Sequence, residues 1–344
     1  MTDINTTIST EDLKFSKLAT STTEGPTFYI QTDEGLYVLI QMIYSAVSSF
    51  SHSVQIAARV YGPGGKPKKS VTLSKGSGDY KVSDDKLSVV CKPCSIQFIK
   101  ADVVTYHVTF DSDGLELDFT IKAVDGALQF NGGQHFFVDG KPDKGSVKSK
   151  FIPRAAATGT IKIDGTTHDA KGWSTYTMVT QHYPQNVALW NFLHFHNATD
   201  SLMLYQFELP KGSVKSTVSQ GCLVLNNKIV AVTMDNHTTF HGTFKDDFQS
   251  KYSIPTSLTH EWNGKTLKGE PINIKMNLSL KHCEDKVDIL GELPYLVRKI
   301  IQTFITAPYV YQWIEETVVD VTIAGVTTQL KGRVMHENTF LLEL

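Results

Sequence analysis

The side chains with the clearest capacity for chemistry are histidines. His194 and His196 are two positions apart, which places both imidazoles on one face of a strand, and His182, His237 and His241 are further candidate ligands. Such a set binds zinc or iron only if the fold adds a carboxylate or a third histidine. With 12 histidines among 344 residues, close spacing by chance is common. We therefore predict no metal and no cofactor.

Cys91 and Cys94 form a CxxC motif, the spacing that thiol oxidoreductases and zinc sites use. A redox pair usually opens a helix whose N-terminus lowers the pKa of a thiol. Here the motif interrupts strand-like sequence on both sides, and the chain has no second CxxC. We interpret these residues as turn cysteines. The GxSxG and HExxH motifs of hydrolases are also absent from the sequence, and no catalytic residue is predicted.

The densest run of aromatic residues extends from residue 172 to residue 207. Within it, residues 187–196 are apolar on both alternating faces, with Trp190 and Phe192 on one face and Leu193 on the other. A strand with two apolar faces is buried on both sides. This is typical of a barrel strand whose inner face lines a ligand-binding lumen. The alternative is an interior that side chains fill completely.

Strands dominate the rest of the predicted structure. Residues 106–110 and 115–121 alternate between apolar and polar positions around an Asp-Ser-Asp-Gly turn, which predicts a hairpin with one buried face. Similar turn signals recur along the chain and indicate many short antiparallel strands. The run 36–50 suits a buried strand at least as well as a helix. The sequence thus predicts an all-β protein.

One helix is predicted near the C-terminal end. Pro294 suits a first helical position, and apolar residues recur at three- and four-residue spacing over 293–304 until Pro308 stops the pattern. The predicted helix is amphipathic and about three turns long. We expect it to pack over the end of a barrel.

The chain is expected to contain two domains. Residues 139–150 are basic, rich in turn formers and without a core pattern, which places a boundary near residue 150. The predicted units are a flexible arm at 1–23, with at most a turn at 11–13, followed by domains at 24–150 and 151–344.

The charge balance excludes some classes of partner. Lys and Arg number 33 against 35 Asp and Glu, so no global field attracts nucleic acid. The first residues lack the basic and apolar regions of a secretory leader, and no apolar run reaches the length of a membrane span. We expect a cytoplasmic protein that is not secreted.

Several segments together resemble the fungal survival factor family, and the resemblance covers about residues 24–344. Their order and spacing carry the likeness, since none of them is catalytic. They are Phe-Tyr-Ile-Gln-Thr-Asp-Glu-Gly at 28–35, Ile-Gln-Met-Ile-Tyr-Ser at 40–45, Phe-Ile-Pro-Arg at 151–154, Ala-Leu-Trp-Asn-Phe at 188–192 and Ala-Pro-Tyr-Val-Tyr-Gln-Trp at 307–313.

This resemblance implies two tandem lipocalin-like antiparallel barrels, the second carrying the short helix. It also implies a role in survival of oxidative stress and, from the best-known branch, ceramide transfer between endoplasmic reticulum and Golgi. The ceramide-transferring branch looks to begin with an amphipathic helix that docks on membranes. Residues 6–10 here are instead polar. Residues 174–183 lack the Asp-His pair of the similar bacterial carotenoid hydratases. The chain is thus expected to represent a branch without the helix and without hydratase activity.

The leading hypothesis is a non-enzymatic protein that binds or transfers a sphingolipid-like molecule. We expect transient membrane contact and a location in the cytoplasm, extending to the nucleus. The other hypotheses are a stress-response interaction protein without a small ligand, and an enzyme on a hydrophobic substrate with His182 or His194 as acid–base. The predicted lipid-lining residues are Ile40, Met42 and Tyr44 in the first barrel, and Trp173, Tyr176, Trp190, Phe192 and His194 in the second.

Overall fold

Antiparallel strands make up nearly all of the regular structure in the computed structural model of the chain. The structure describes residues 8–15, 22–48, 51–76, 78–100, 102–130, 134–137, 144–182, 187–209, 217–242, 245–246, 250, 252–288, 291 and 309–341. The all-β class predicted from the sequence is confirmed. The helix predicted over 293–304 lies outside the described residues.

The first sheet contains thirteen strands among the described residues. Its order is β4-β3-β2-β1-β13-β11-β9-β8-β7-β6-β5, and β10 and β12 both pair with β11. In chain order these strands are β1 (Thr22–Thr32), β2 (Tyr37–Ser48), β3 (Ser51–Tyr61), β4 (Lys68–Gly76), β5 (Tyr80–Val82), β6 (Val89–Cys91), β7 (Cys94–Lys100), β8 (Thr105–Ser112), β9 (Leu115–Ala123), β10 (Gln134–Phe136), β11 (Ser146–Ile163), β12 (Thr166–Asp169) and β13 (Gly172–His182). A short 3₁₀ helix spans Pro63–Gly65.

The first sheet curls into a nearly closed barrel. Its two outermost strands on the main path, β4 and β5, follow each other in the chain, and the Gly76 amide donates to Asp79 Oδ2 at 3.2 Å across the turn between them. Apolar side chains fill the interior at alternate strand positions, as in β9, where Leu115 to Ala123 alternate between buried and exposed.

The predicted hairpin of β8 and β9 is confirmed. Ser112 pairs with Leu115 across a two-residue turn. Asp113 and Gly114 in this turn have φ values of 51° and 74°. Two left-handed residues give the turn a twist that matches the twist of the flanking strands.

The second sheet is formed after residue 187 and also curls into a nearly closed barrel. Its order is β17-β16-β15-β14-β25-β24-β22-β21-β18, with β23 on β24, while β19 and β20 pair only with each other. The strands are β14 (Leu189–His196), β15 (Ser201–Glu208), β16 (Thr217–Leu225), β17 (Lys228–Thr233), β18 (Asp235–His241), β19 (Lys245–Asp246), β20 (Ser253–Ile254), β21 (Ser257–Lys265), β22 (Pro271–Ser279), β23 (Cys283–Asp288), β24 (Tyr309–Ile323) and β25 (Val326–Phe340).

Near-closure of the second barrel is visible at its seam. The Leu267 amide donates to the Val230 carbonyl at 2.8 Å, and Ala231 forms an isolated bridge with Thr266. The first strand of this sheet in the chain, β14, pairs with the last, β25.

The division of the chain differs from the predicted boundary near residue 150. That position falls inside β11, and the chain divides into one unit of residues 1–136 with 141–184 and another of 137–140 with 185–344. The basic run that predicted a linker continues into a strand because residues on both sides of Lys148 are buried in the first barrel. Residues 151–182 therefore complete the first barrel and do not begin the second.

Part of the predicted flexible arm packs on the first barrel. Residues 8–15, here called the N-terminal strap, contain the one-turn helix α1 (Thr10–Leu13) where a turn was predicted. The Ile8 amide donates to the Ala127 carbonyl at 3.3 Å and the Phe15 amide to the Lys86 carbonyl at 2.8 Å. Ile8 and Leu13 join the hydrophobic core of this barrel. The strap is therefore bound to the barrel at both of its ends.

Candidate functional site

A cavity of about 400 Å³ opens within the first barrel. Its wall is largely apolar and draws on strands β2, β3, β5 and β6, on the turn after β5, and on the strap. The lining residues are Phe15, Met42, Tyr44, Val54, Val82, Ser83, Asp84, Lys86 and Val89.

Strand β2 brings two predicted lining residues to this cavity. Ile40, Met42 and Tyr44 alternate along β2 and so point to the barrel interior together. Met42 and Tyr44 line the cavity, whereas Ile40 is fully buried in the core and is not among the lining residues.

Tyr44 supplies a polar group to the wall on strand β2, while Ser83, Asp84 and Lys86 supply polar groups from the turn after β5. The hydroxyl of Tyr44 forms a hydrogen bond with His52 Nδ1, and the Tyr44 ring meets the ring of Tyr80 edge-on at 5.5 Å. Burial, and secondly the neighbouring Tyr80, raise the pKa of Tyr44 above its ordinary value. The hydroxyl therefore stays protonated at neutral pH and offers a neutral hydrogen-bonding group beside the cavity.

A buried polar cluster lies on β1, which neighbours β2, and on β13, which pairs with the other edge of β1. Glu24 of β1 is directly opposite Tyr44 of β2 on one side and Thr180 of β13 on the other. Thr180 Oγ1 donates to Glu24 Oε2 at 2.6 Å, and Glu24 is 1% exposed. Because directly opposed residues share one face of a sheet, the Glu24 carboxylate lies on the same inner face as Tyr44.

Lys150 of β11 is a further charged residue buried in the first barrel. It is 2% exposed, and its Nζ donates to the Lys14 carbonyl of the strap at 3.2 Å. Burial, with repulsion from Lys148, lowers the pKa of Lys150 to about 8, against the opposing effect of Glu24 and Asp12. The ammonium form is still favoured at neutral pH.

Sequence reasoning did not identify Glu24, Lys150 or Phe15 as site residues. Lys150 directly precedes the apolar pair Phe151 and Ile152 inside a strand with two buried faces. A charge within such a run is the signal that could have identified it. Phe15 gave no comparable signal, because it lies in a segment without strand periodicity.

Tyr176 also lies inside the first barrel, not in the second as predicted. Its ring centroid is 4.9 Å from that of Phe28 and 5.3 Å from that of Tyr106, and its hydroxyl donates to Met178 Sδ at 3.2 Å. Burial, and secondly Tyr106, raise the pKa of Tyr176. Tyr176 is part of a filled aromatic core and is not among the residues that line the cavity.

Trp173 lies on the opposite face of β13, since side chains alternate along a strand. The Arg154 guanidinium carbon lies 3.5 Å from the centroid of its indole ring. Arg154 is 1% exposed. This pair is a buried cation–π contact of the first barrel, away from the cavity wall.

Trp190, Phe192 and His194 alternate along β14 with residues of the second core, such as Leu193 and Phe195. They therefore lie on the face of β14 that points away from that core. None of the three lines the cavity of the first barrel.

His194 is fully buried, and burial lowers its pKa to about 3. An imidazole with this pKa is far from the near-neutral value that acid–base catalysis favours. The side chain of His182 lies outside the described residues. In the part of the chain that the structure describes, no group of three His, Cys, Asp or Glu residues could bind a metal ion.

The CxxC motif forms the turn between β6 and β7, as predicted. Cys91 and Cys94 are directly opposite each other, and both are buried thiols. Burial raises the pKa of both residues, that of Cys94 to about 12. Protonated, buried thiols are poor nucleophiles and poor metal ligands.

Comparison with known proteins matches the chain to one family. The sequence profile of the Svf1 family matches residues 2–342. The chain is 27% identical over 309 residues to the ceramide-binding protein svf-1 of Neurospora crassa, covering 88% of this chain and 80% of that protein. It is 26% identical over 353 residues to the ceramide-binding protein SVF1 of Eremothecium gossypii, covering 97% and 89%.

Solved structures show the same architecture. CghA with Sch210972 matches with a TM-score of 0.64 at 12% identity, covering 98% of this chain and 95% of that chain. Kievitone hydratase from Nectria haematococca matches with a TM-score of 0.62 at 12% identity, covering 98% and 94%. A putative AttH from Nitrosomonas europaea matches with a TM-score of 0.62 at 14% identity, covering 97% and 96%.

These likenesses show the fold, which is the predicted pair of lipocalin-like barrels. At such identities they carry no statement about activity. Among the described residues, no helix has the length and apolar character needed to cross a membrane.

Proposed function

The chain belongs to the Svf1 family, and from this premise we propose that it is a non-enzymatic protein that binds a ceramide-like lipid in the cavity of the first barrel. The observation that carries the proposal is the cavity itself, a largely apolar space of about 400 Å³ with Tyr44 in its wall. The names of the curated relatives supply the class of ligand.

The cavity suits a ligand with an apolar chain and a small polar head. Ligand pockets typically measure roughly 300–1,000 Å³, and each buried methylene contributes about 0.8 kcal/mol to binding. Met42, Val54 and Val89 provide apolar contact, while the hydroxyl of Tyr44 can donate to or accept from an amide or hydroxyl. Apolar burial would supply most of the affinity and Tyr44 would orient the head.

The absence of enzymatic activity is part of the proposal. His194, the candidate acid–base, is held neutral by burial, and the CxxC thiols are protonated. Burial also keeps the hydroxyl of Tyr44, one of the polar side chains in the cavity wall, neutral. A role in survival of oxidative stress, location in cytoplasm and nucleus, and transient membrane contact stay predictions.

The test is the binding of a fluorescent short-chain ceramide to the purified full-length chain, with extraction and mass spectrometry of lipids that co-purify from its own cell. We expect saturable binding and a co-purifying sphingolipid. Met42→Trp should fill the cavity and weaken binding at least tenfold, since the added indole displaces ligand volume. Ile43→Trp is the matched control, because Ile43 points away from the cavity on the same strand.

Two results would reject the proposal. No saturable binding and no co-purified lipid would exclude ceramide as the ligand. Wild-type affinity in Met42→Trp, with the fold intact, would show that the lipid binds elsewhere.

A further inference from the structure

The strap places the backbone carbonyl of Lys14 inside the first barrel, against the buried side chain of Lys150. Lys14 follows helix α1, and its amide donates to the Glu11 carbonyl at 3.3 Å. Its own carbonyl turns inward and accepts from Lys150 Nζ at 3.2 Å. Lys150 is almost fully buried, so this contact is a charge-assisted hydrogen bond shielded from water.

The same contact adjoins the proposed lipid cavity. Phe15, the next residue of the strap, contributes its side chain to the cavity wall together with Tyr44. Tyr44 is in turn directly opposite Glu24, whose charge acts on Lys150. A buried donor, a buried acceptor and the apolar cavity are thus adjacent, and the strap contacts both Lys150 and the cavity.

The chemistry of the strap contact matches that of the ligand class. The Lys14 carbonyl belongs to a secondary amide, and the acyl chain of a ceramide is joined to its base by the same group. A ceramide also carries hydroxyl groups, which can donate to a carboxylate such as that of Glu24. A lipid whose head reaches Lys150 would therefore replace the strap's hydrogen bond with an equivalent one.

We propose that the strap acts as an internal mimic of the lipid head group: the Lys14 carbonyl occupies on Lys150 the position that the amide carbonyl of a ceramide takes. This inference rests on the proposed function. Lipid and strap then compete for Lys150, and binding of ceramide releases the strap from the barrel. Lys150 and Glu24 select lipids that carry an amide carbonyl and a hydroxyl.

Hydrogen exchange on the unmodified full-length chain gives the first test. Addition of saturating short-chain ceramide should accelerate exchange of the Ile8 and Phe15 amides severalfold, because their bonds to Ala127 and Lys86 break when the strap leaves. Unchanged or increased protection of both amides, with ceramide bound, would overturn the competition.

Variants give the second test, and their design follows from competition. Lys150→Met in the intact chain removes a bond from the strap-bound and lipid-bound states alike, so its effect on affinity largely cancels. The informative background is Leu13→Asp, which loosens the strap by placing a charge in the core. We expect Leu13→Asp to raise ceramide affinity severalfold, because less binding energy is spent on displacing the strap.

In the Leu13→Asp background, adding Lys150→Met should weaken ceramide binding about tenfold, the usual effect of losing a hydrogen bond to a charged group. Binding of a dialkyl ether glycerol of equal chain length should not change, since it has no carbonyl. The matched control is Lys162→Met, the same substitution at a partly exposed position of β11. Urea unfolding verifies that each variant folds.

The outcomes separate this inference from the proposed function. Ceramide bound with equal affinity by wild type, Leu13→Asp and the Leu13→Asp, Lys150→Met double variant would overturn the head-group mimic alone. Failure of wild type and Leu13→Asp to bind either lipid would overturn the proposed function and the mimic with it.

Discussion

The Trp173 indole covers a cation that has almost no access to water. The Arg154 guanidinium lies 3.5 Å from the ring centroid and is 1% exposed. Because a desolvated cation–π contact contributes about 2 kcal/mol, we expect Trp173→Leu to lower the free energy of unfolding by about this amount. Ceramide affinity should not change, since Trp173 lies on the face of β13 away from the cavity. Urea unfolding and a ceramide titration measure the two effects.

Lys171→Met, directly before β13, is the control, because its exposed ammonium contributes little to stability. A loss of ceramide affinity in Trp173→Leu at unchanged stability would contradict the placement of this residue outside the site. The sequence marked Trp173 and Tyr176 as neighbours in one aromatic run. Only alternation along β13 separates them, one into the core and one onto the opposite face.

At the scale of elements, strands β16 and β21 approach each other closely where Gly221 meets Trp262. A Cβ atom on Gly221 would lie 2.3 Å from Trp262 Cδ1 and 2.6 Å from Thr233 Oγ1. Trp262 is fully buried, so the ring cannot move aside cheaply. We expect Gly221→Ala to destabilise the chain by about 2 kcal/mol through overpacking, as urea unfolding would measure.

Gly76→Ala is the matched substitution at a strand position with open space, where the nearest atom is Asp79 Oδ2 at 3.8 Å. It should change stability by less than about 0.5 kcal/mol. Equal changes in stability from the two substitutions would show that Trp262 leaves room for a Cβ atom at Gly221.

Elements could be predicted from the sequence where the residues that specify them lie close together in the chain. The hairpin of β8 and β9 has its alternation and its turn within about 20 residues, and it forms as predicted. The inner face of β14 could not be predicted, because both faces are apolar and β25, its partner, lies at the other end of the domain. The extent of the first barrel was missed for the same reason, since β13 pairs with β1, which lies about 150 residues earlier in the chain.

The candidate site was predictable in part. Met42 and Tyr44 follow from the apolar alternation of β2, and both line the cavity. Glu24 and Lys150 did not follow, because a sequence pattern treats charged residues as exposed unless the fold supplies partners. Those partners, Thr180 and the Lys14 carbonyl, are more than 130 residues away in each case.

For the whole molecule, pH should affect stability through the buried histidines of the second barrel. Burial lowers the pKa of His194 to about 3 and that of His336 to about 4, and burial with the nearby His336 lowers the pKa of His260. Unfolded histidines bind protons near pH 6.5, so between pH 6.5 and 4 the unfolded chain binds more protons than the folded chain.

Stability should therefore fall as the pH drops below 6.5, by about 1.4 kcal/mol per pH unit for each of these histidines. Urea unfolding at pH 7, 6 and 5 measures the slope. His194→Leu should reduce the slope by one histidine. A wild-type slope in His194→Leu would contradict a neutral His194.

The pairing of β1 with β13 also determines when the first barrel can fold during its synthesis. Strand β1 pairs with β13, joining Thr32 to Gly172 and Thr22 to His182. On the ribosome, β1 therefore cannot pair with β13 until some 140 to 160 further residues have been translated. Contacts this distant in sequence slow folding, and the growing chain exposes an unpaired edge meanwhile. Nascent chains that stop before residue 172 should therefore depend on chaperones and lack a lipid cavity.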